Sequence, residues 1–197
     1  GPLRVNGSCA HGDFYVPMAT SEGALVASYN RGAAVISQAG GAAALCLTES
    51  VSRAPCFGFA DMAEAGRFLS WLLPRVDSLQ EIVARTSAHC RLLDVKTAIT
   101  GKEVYLIFEF TTGDAAGQNM VTIAAEAICR ELVAGSPVRP REWYIEGNMS
   151  GDKKATMLSY IFTRGKDAVA EAVVPERLVR RFLHTSPADM VQYWQGS

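Results

Sequence analysis

The strand-forming segment at residues 104–108, Val-Tyr-Leu-Ile-Phe, constrains the fold of this chain more than any other feature. β-Branched and aromatic side chains favour extended backbone, and a second such segment, residues 91–99, precedes it across the turn sequence Thr100-Gly101-Lys102. The two segments together predict a β-hairpin.

Elements on both sides of this hairpin extend the pattern. Residues 51–59 suit a strand, two helices interrupted at Pro74 follow it, and a helix over 114–135 leads to a strand at 143–145. With the interrupted helix counted as one layer, residues 51–146 have the order β-α-β-β-α-β, which is the split βαβ arrangement of ferredoxin-like domains. We therefore predict a small domain at 51–146 in a chain of the α+β class.

Capping signals place the starts of these helices. Asp61 with Glu64, and Ser78 with Glu81, each combine an N-cap residue with a carboxylate three positions later, which is the pattern of a capping box. Asp114 can cap the last helix of the segment.

Further elements lie outside residues 51–146. From Ser21 onward, apolar residues recur at helical spacing until Gly40-Gly41 can stop the helix, and its many small residues would allow close packing against its backbone. The segments predicted after residue 146 are a polar loop at 147–154, strands at 155–163 and 167–174, and a helix opened by Pro175.

Charge and composition exclude several classes of function. The 19 Lys and Arg residues are scattered and, with 20 Asp and Glu, leave a net charge of -1, which gives no field to attract nucleic acid or an anionic membrane. The five cysteines are widely spaced without a C-x-x-C pair and the three histidines share no ligand spacing, which indicates a reduced intracellular protein without a metal site. No segment approaches the roughly 18 apolar residues of a membrane span. We expect a cytoplasmic segment, anchored to the endoplasmic reticulum membrane only if a eukaryotic upstream anchor exists.

The loop at 147–154 carries candidate chemistry. Its sequence, Gly-Asn-Met-Ser-Gly-Asp-Lys-Lys, places Asp152 beside Lys153 and Lys154. One ammonium group could bind a carboxylate while the other polarises a carbonyl, with the Asp holding the pair in place. The residues alone favour the alternative, a solvated surface turn.

Three other positions are open to a functional and a structural interpretation. Glu22 begins an apolar helix, where a carboxyl group can act as a proton donor, although Glu in a first helical turn more often simply suits the helix dipole. Residues 112–120, Thr-Gly-Asp-Ala-Ala-Gly-Gln-Asn-Met, could bring backbone N–H groups against a phosphate or be an ordinary helix start. Arg53 taken alone would be a surface charge.

Read together and in order, several segments resemble the catalytic domain of the 3-hydroxy-3-methylglutaryl-coenzyme A (HMG-CoA) reductases. The matching segments are Gly1-Pro2-Leu3, V-P-M-A-T-S-E-G at 16–23, A-S-Y-N-R-G at 27–32, S-R-A-P at 52–55, T-G-D-A-A-G-Q-N-M at 112–120, G-D-K-K at 151–154 and R-G-K at 164–166. They span nearly the whole chain, and T-S-E-G is similar to the eukaryote-like class of the family. The resemblance implies reduction of HMG-CoA to mevalonate and coenzyme A with two NADPH, by a homodimer or higher homo-oligomer whose active site lies at the subunit interface.

The resemblance also implies a division of the chain into domains. Residues 1–50 would be the first part of a large substrate-binding domain, and residues 51–146 the small ferredoxin-like NADPH-binding domain that interrupts it. Residues 147–197 would supply the active-site loop and a second, partial piece of the large domain.

Individual roles follow from the matched motifs. Glu22 would donate protons, Lys153 would polarise the thioester carbonyl, and Asp152 would be its partner near the substrate hydroxyl. The implied substrate-binding residues are Arg53 and Lys154 at the HMG carboxylate, and Ser28, Asn30 and Arg31 near the coenzyme A phosphates. The implied cofactor-binding residues are Ser87, Asp114, Gly117, Asn119 and Met120.

The chain departs from the family pattern at two internal positions. Glu146 stands where members of this class usually have Ser, which puts a negative charge close to the expected HMG carboxylate. Ala88 replaces an Arg used on the cofactor's 2′-phosphate, so NADH is possible beside NADPH, although Arg91 could substitute.

The family's G-x-D-A-A-x-N helix and its late catalytic His lie outside this chain. We therefore expect a reading frame that continues past Ser197 and a 197-residue piece that is inactive alone. The alternative is a shortened relative without catalysis that serves as a binding or interaction protein.

Overall fold

The computed structural model describes residues 1–151, 155–157 and 165–196. The chain divides into two compact units, the first formed by Gly1–Leu47 with Ala168–Ser197 and the second by Thr48–Asp167. No helix in the described ranges is long and apolar enough to cross a membrane.

The first unit combines a small sheet with helix α1 (Gly23–Gln38). Strand β1 (Leu3–Gly7) pairs antiparallel with β2 (His11–Phe14) and parallel with the start of β3 (Ala42–Arg53). The predicted helix after Ser21 is thus confirmed as α1. It ends because the glycines that follow adopt positive φ values, 111° at Gly40 and 101° at Gly41, which glycine tolerates better than other residues.

The second unit contains an antiparallel sheet around strand β6 (Glu103–Thr111). Strand β5 (Arg91–Thr100) pairs along one side of β6, and the end of β3 and β4 (Cys56–Gly58) pair along the other. Strand β7 (Glu142–Tyr144) then pairs with β4, which gives the neighbour order β5-β6-β4-β7. The predicted hairpin of β5 and β6 is confirmed.

The single strand predicted over 51–59 is wrong in one respect. The structure has two strands there, because β3 ends at Arg53 and β4 begins at Cys56. Pro55 lies in the gap, and a proline has no N–H to donate to a neighbouring strand. The break lets the two strands pair with successive parts of β6.

Three helices cover one face of this sheet. They are α2 (Met62–Leu72), α3 (Leu79–Thr86), which follows a 3-10 turn at Leu73–Ser78, and α4 (Gln118–Gly135). Alternate residues of β6 form the core beneath them, with Leu106 and Phe108 fully buried. Each such large apolar side chain contributes about 1.5–3 kcal/mol by its burial.

The capping predictions had mixed outcomes at the first two helices. Asp61 caps α2 as predicted, since its Oδ1 accepts the Glu64 N–H at 2.8 Å. The Ser78 prediction is wrong, because the 3-10 turn opened by Pro74 runs directly into α3 and keeps Ser78 in helical conformation. The Ser78 hydroxyl instead donates to the Arg75 carbonyl at 2.6 Å.

The predicted cap at Asp114 is also wrong, since α4 begins four residues later at Gln118. Gly117 occupies the N-cap position with φ +72°, and a Cβ at Gly117 would lie 2.3 Å from Thr112 Cγ2. The Thr112 hydroxyl donates to the Ala115 carbonyl at 2.6 Å. A turn closed by Thr112 therefore precedes the helix and delays its start.

The last part of the chain follows the predictions only partly. The strand predicted at 155–163 falls largely on residues outside the described ranges. The strand predicted at 167–174 appears as β8 (Gly165–Glu171), and Pro175 opens a helical turn at Glu176–Leu178, as predicted. That turn continues into a π-helical turn at Val179–Leu183, and a final helix follows at Pro187–Gly196.

Candidate functional site

Arg53, at the end of β3, is held in place by helix α4. Its Nε donates to the Thr122 hydroxyl at 3.0 Å, and its Nη2 donates to the Gln118 side-chain oxygen at 3.1 Å. Gln118 and Thr122 stand one turn apart on α4, so both side chains reach the same guanidinium. The Arg53 side chain is only 12% exposed. It is a positioned cation and not the surface charge that the residue alone suggested.

Arg53 lines a pocket of about 600 Å³ in the second unit. Three of the lining side chains form a row across the sheet, because Cys56 of β4 lies opposite both Tyr105 of β6 and Tyr144 of β7. The remaining lining residues are Glu103, Thr122, Ile145, Glu146, Gly147, Asn148 and Ser150. The pocket therefore joins the sheet to the segment at 145–150, which includes the first part of the loop predicted at 147–154.

Gly147 lets that segment pass directly over the sheet. A Cβ at this position would lie 2.7 Å from Tyr105 Cε1 and 2.9 Å from the Cβ of Cys56. The Gly147 N–H donates to the Ala54 carbonyl at 2.7 Å, which fixes the segment against the gap between β3 and β4. Any larger residue would displace this wall of the pocket.

Glu146 places a carboxylate inside the same pocket. Its Oε2 accepts the Ala54 N–H at 3.3 Å and lies 3.8 Å from Arg53 Nε. Its Oε1 is buried and has no hydrogen-bond partner, and the same holds for the hydroxyl oxygen of Ser150 within the described ranges. Buried polar atoms without partners are rare and costly, so these two mark a place where a polar ligand can bind.

Two other groups of the pocket remain protonated near neutral pH. The Tyr105 hydroxyl donates to Glu103 Oε2 at 2.8 Å, and this bond together with burial raises the pKa of Tyr105 far above its usual value. Burial likewise raises the pKa of the Cys56 thiol. Neither group is a source of negative charge for the pocket.

The residues predicted to be catalytic do not line the Arg53 pocket in the part of the chain that the structure describes. Asp152, Lys153 and Lys154 lie outside the described ranges, directly after Gly151. Glu22 belongs to the first unit, where it is exposed at the N-cap of α1 and its side chain makes no capping hydrogen bond.

The residues predicted to bind coenzyme A lie on α1. Ser28, Asn30 and Arg31 are all exposed, and the first two line a second pocket of about 990 Å³ within the first unit. Apolar side chains such as Val26 and Ile36 form much of its wall. Such a wall suits an extended apolar chain with polar groups at its ends.

A third pocket, of about 430 Å³, contains Asp114, one of the predicted cofactor-binding residues. It also brings together Ala88, Arg91 and Lys166, and the Lys166 ammonium forms an ion pair with Glu49. The other lining residues are His89, Thr111 and Gly113. The pocket thus combines a carboxylate that can accept hydrogen bonds from hydroxyl groups with cations that can bind a phosphate.

The other predicted cofactor-binding residues lie close to these elements in the sequence. Ser87 follows α3, and its hydroxyl accepts the His89 N–H at 3.1 Å. Gly117 is the N-cap of α4, Asn119 is exposed in its first turn, and Met120 packs against the core. Across the ranges that the structure covers, no group of three or more His, Cys, Asp or Glu residues is arranged to hold a metal ion.

Sequence reasoning missed several residues of the Arg53 pocket. Gln118 and Thr122 carried one available signal, a pair of polar residues at helical spacing directly after the T-G-D-A-A-G motif. Gly147 and Ser150 belong to the loop at 147–154 that the sequence singled out, but neither was assigned a role. Tyr105 carried no signal, because its role depends on contacts between distant parts of the chain.

Comparison with known proteins gives a consistent match. A family model described as hydroxymethylglutaryl-coenzyme A reductase matches residues 1–197. The 3-hydroxy-3-methylglutaryl-coenzyme A reductase of Pyrococcus abyssi is 44% identical over 95% of this chain and 46% of its own length. That of Aeropyrum pernix is 43% identical over 96% of the chain and 45% of its own length. The chain therefore spans less than half of these relatives.

Solved structures share the mixed α/β fold. A 3-hydroxy-3-methylglutaryl-coenzyme A reductase of Streptococcus pneumoniae matches 91% of this chain and 45% of its own, with a TM-score of 0.61 and 16% identity. A class II reductase from the same organism, bound to NADPH, matches 73% of the chain and 40% of its own, with a TM-score of 0.56 and 18% identity. At such identities the likeness concerns the fold.

Proposed function

This chain belongs to the hydroxymethylglutaryl-coenzyme A reductase family, and we propose that the full-length protein carrying it reduces HMG-CoA to mevalonate and coenzyme A. Two hydride transfers would convert the thioester to a primary alcohol and consume two NADPH. Beyond the family match, the pocket around Arg53 carries the proposal. A guanidinium fixed by Gln118 and Thr122 suits the carboxylate at the end of the HMG group.

The proposed chemistry depends on a cation at the thioester carbonyl. Negative charge develops on that oxygen during hydride transfer, so a fixed ammonium stabilises the transition state more than the ground state. Lys153 would supply this ammonium, Asp152 would hold it near the substrate hydroxyl, and Lys154 would join Arg53 at the carboxylate. Glu22 would supply protons. Their support is the matched motifs, since the three loop residues lie outside the described ranges.

We further propose that coenzyme A binds along α1. The second pocket offers an apolar wall for the extended arm of the molecule, with Ser28 and Asn30 at its surface. Arg31 would meet the phosphates from the adjacent exposed position.

We propose that a reduced nicotinamide dinucleotide, which would supply hydride, binds at the third pocket. Asp114 can accept hydrogen bonds from ribose hydroxyls, and Arg91 can hold a phosphate. Ser87, Gly117, Asn119 and Met120 would line the rest of the site. NADPH is the proposed cofactor, as in the pneumococcal reductase. With Ala88 in place of an Arg, NADH should be accepted as well.

We also propose that residues 51–146 form a small ferredoxin-like domain that interrupts a large one. The order β5-β6-β4-β7, with helices joining β4 to β5 and β6 to β7, supports this assignment. A homodimer is proposed too, supported by the exposed apolar side chains of Tyr29, Leu45 and Leu47 in the first unit.

Steady-state kinetics of variants test the proposed function. In the full-length protein, Lys153→Ala should lower kcat by about a hundred to a thousand-fold and leave coenzyme A binding nearly unchanged. Arg53→Gln should act mainly on KM, because it removes a contact made in both the ground and the transition state. Lys102→Ala, in the exposed hairpin turn, is the matched control.

If Lys153→Ala kept more than about a tenth of the wild-type kcat, the role assigned to Lys153 would be wrong, because removal of a single preorganised donor normally lowers kcat by more than this. A wild-type protein that binds coenzyme A but makes no mevalonate would favour the alternative, a binding protein without catalysis.

A further inference from the structure

The pairing of Arg53 with Glu146 is unexpected in a pocket that should receive a carboxylate. Glu146 Oε2 lies 3.8 Å from Arg53 Nε, and the Arg53 side chain is only 12% exposed. A carboxylate of the same chain beside this cation offsets part of the positive charge that the guanidinium presents to a ligand.

Backbone contacts hold Glu146 in this position. The Ala54 N–H donates to its Oε2 at 3.3 Å, and the Gly147 N–H donates to the Ala54 carbonyl at 2.7 Å. Gly147 packs so closely on Tyr105 and Cys56 that no Cβ would fit there. The carboxylate of Glu146 is therefore a built feature of the pocket wall and not a mobile surface group.

Two buried atoms show that this wall is prepared for a polar ligand. Glu146 Oε1 has no hydrogen-bond partner, nor does the hydroxyl oxygen of Ser150, a residue that is only 7% exposed, within the part of the chain that the structure describes. Both residues line the Arg53 pocket. Glu103, a second carboxylate among the described lining residues, already accepts a hydrogen bond from the Tyr105 hydroxyl.

We propose that Glu146 lowers the affinity of this pocket for carboxylate ligands, as an internal carboxylate that competes with the ligand's carboxylate for Arg53. The inference rests on the proposed function, because it concerns the group that the HMG end of the substrate would bring. A second carboxylate at the same guanidinium meets repulsion from the first across a few ångströms of poorly solvated space. The pocket therefore binds carboxylate ligands more weakly than an Arg53 without this neighbour would.

Calorimetric titration of the full-length protein with free 3-hydroxy-3-methylglutarate tests the competition. Glu146→Gln keeps an oxygen for the Ala54 N–H but removes the charge, and it should tighten binding by about ten-fold or more. Glu81→Gln, on the exposed surface of α3 and not among the residues that line the pocket, is the matched control and should change nothing. In an Arg53→Gln background, Glu146→Gln should tighten binding by a smaller factor, because it then relieves the direct repulsion but no competition for the guanidinium.

Glu146→Ser serves as a second variant, and thermal unfolding of each protein shows whether it folds. Unchanged, weaker or undetectable binding by the folded variants overturns the inference, and weaker binding would mean that Glu146 accepts a hydrogen bond from a ligand hydroxyl. The two proposals fail separately. If the Glu146 variants bind 3-hydroxy-3-methylglutarate more tightly but the wild-type protein makes no mevalonate, this inference stands and the proposed function fails. If the wild-type protein makes mevalonate but the variants bind with unchanged affinity, the proposed function stands and this inference fails.

Discussion

The two units of the chain differ in where their apolar side chains lie. In Thr48–Asp167 the large apolar groups are interior, and Phe57, Phe68 and Phe108 are fully buried. In the first unit the buried hydrophobic residues are Val35, Leu178 and Val179. Its exposed large apolar residues include Phe14, Tyr15, Val16, Tyr29, Leu45, Leu47, Tyr193 and Trp194.

This difference indicates how each unit is stabilised. The second unit buries a core of its own, which is the main source of folding free energy in a small domain. The first unit leaves apolar groups on its surface, and extended exposed apolar surfaces typically mark places where something else binds. The second unit should therefore resist perturbations of its surroundings better than the first.

Thiol labelling should show the largest difference between the units. Cys129 and Cys90 are buried in the second unit, where burial raises the pKa of both thiols, whereas Cys9 is exposed in the first. The thiolate is the reactive form, and a buried thiol reacts only after local opening. We expect Cys9 to react about a thousand-fold faster or more, measured by mass spectrometry after brief alkylation. Similar alkylation rates at all three cysteines would contradict the proposed difference in burial between the two units.

Truncation of a phenylalanine should have the next largest effect. Phe108→Ala removes a fully buried ring from the second unit, and we expect it to lower the free energy of unfolding by about 3–5 kcal/mol. Phe14→Ala, at a residue that is 41% exposed in the first unit, should cost much less. Denaturant unfolding of the two variants measures the difference, and equal losses would show that the units share one core.

Substitutions of glycine should change the free energy of unfolding least, and the change should have opposite signs in the two units. Gly147→Ala forces a Cβ against Tyr105 and Cys56, so it should destabilise the second unit by about 1–3 kcal/mol. Gly32→Ala, inside α1 with no atom within 4 Å of the added Cβ, should stabilise the first unit by about 0.5–1 kcal/mol. Thermal unfolding would contradict this account if Gly147→Ala were neutral.

Local patterns predicted much of the fold. The β5–β6 hairpin, the end of α1 at two glycines and the Asp61 cap each depend on residues close in sequence. The failed predictions came from tertiary context. Ser78 could not cap α3 because a 3-10 turn already preceded it, and α4 started late because the backbone turned at Thr112 and Gly117.

The candidate site was less predictable because its contacts join distant segments. Arg53 bonds to residues 65 and 69 positions away, and Ala54 bonds to Glu146 across 92 positions. The family motifs identified Arg53 and flagged Glu146 as a departure. They put both residues near the expected HMG carboxylate but did not predict that the two side chains would pair, since that depends on how Gly147 packs over the sheet.

The most direct test of this account is the product formed by the full-length protein from HMG-CoA and reduced cofactor. We expect mevalonate and coenzyme A, with two NADPH oxidised for each mevalonate, and measurable turnover with NADH because Ala88 offers no charge for a 2′-phosphate. Chromatographic measurement of mevalonate beside the loss of absorbance at the nicotinamide band gives both quantities. Cofactor oxidation without mevalonate, or no oxidation with either cofactor, would contradict the proposed function.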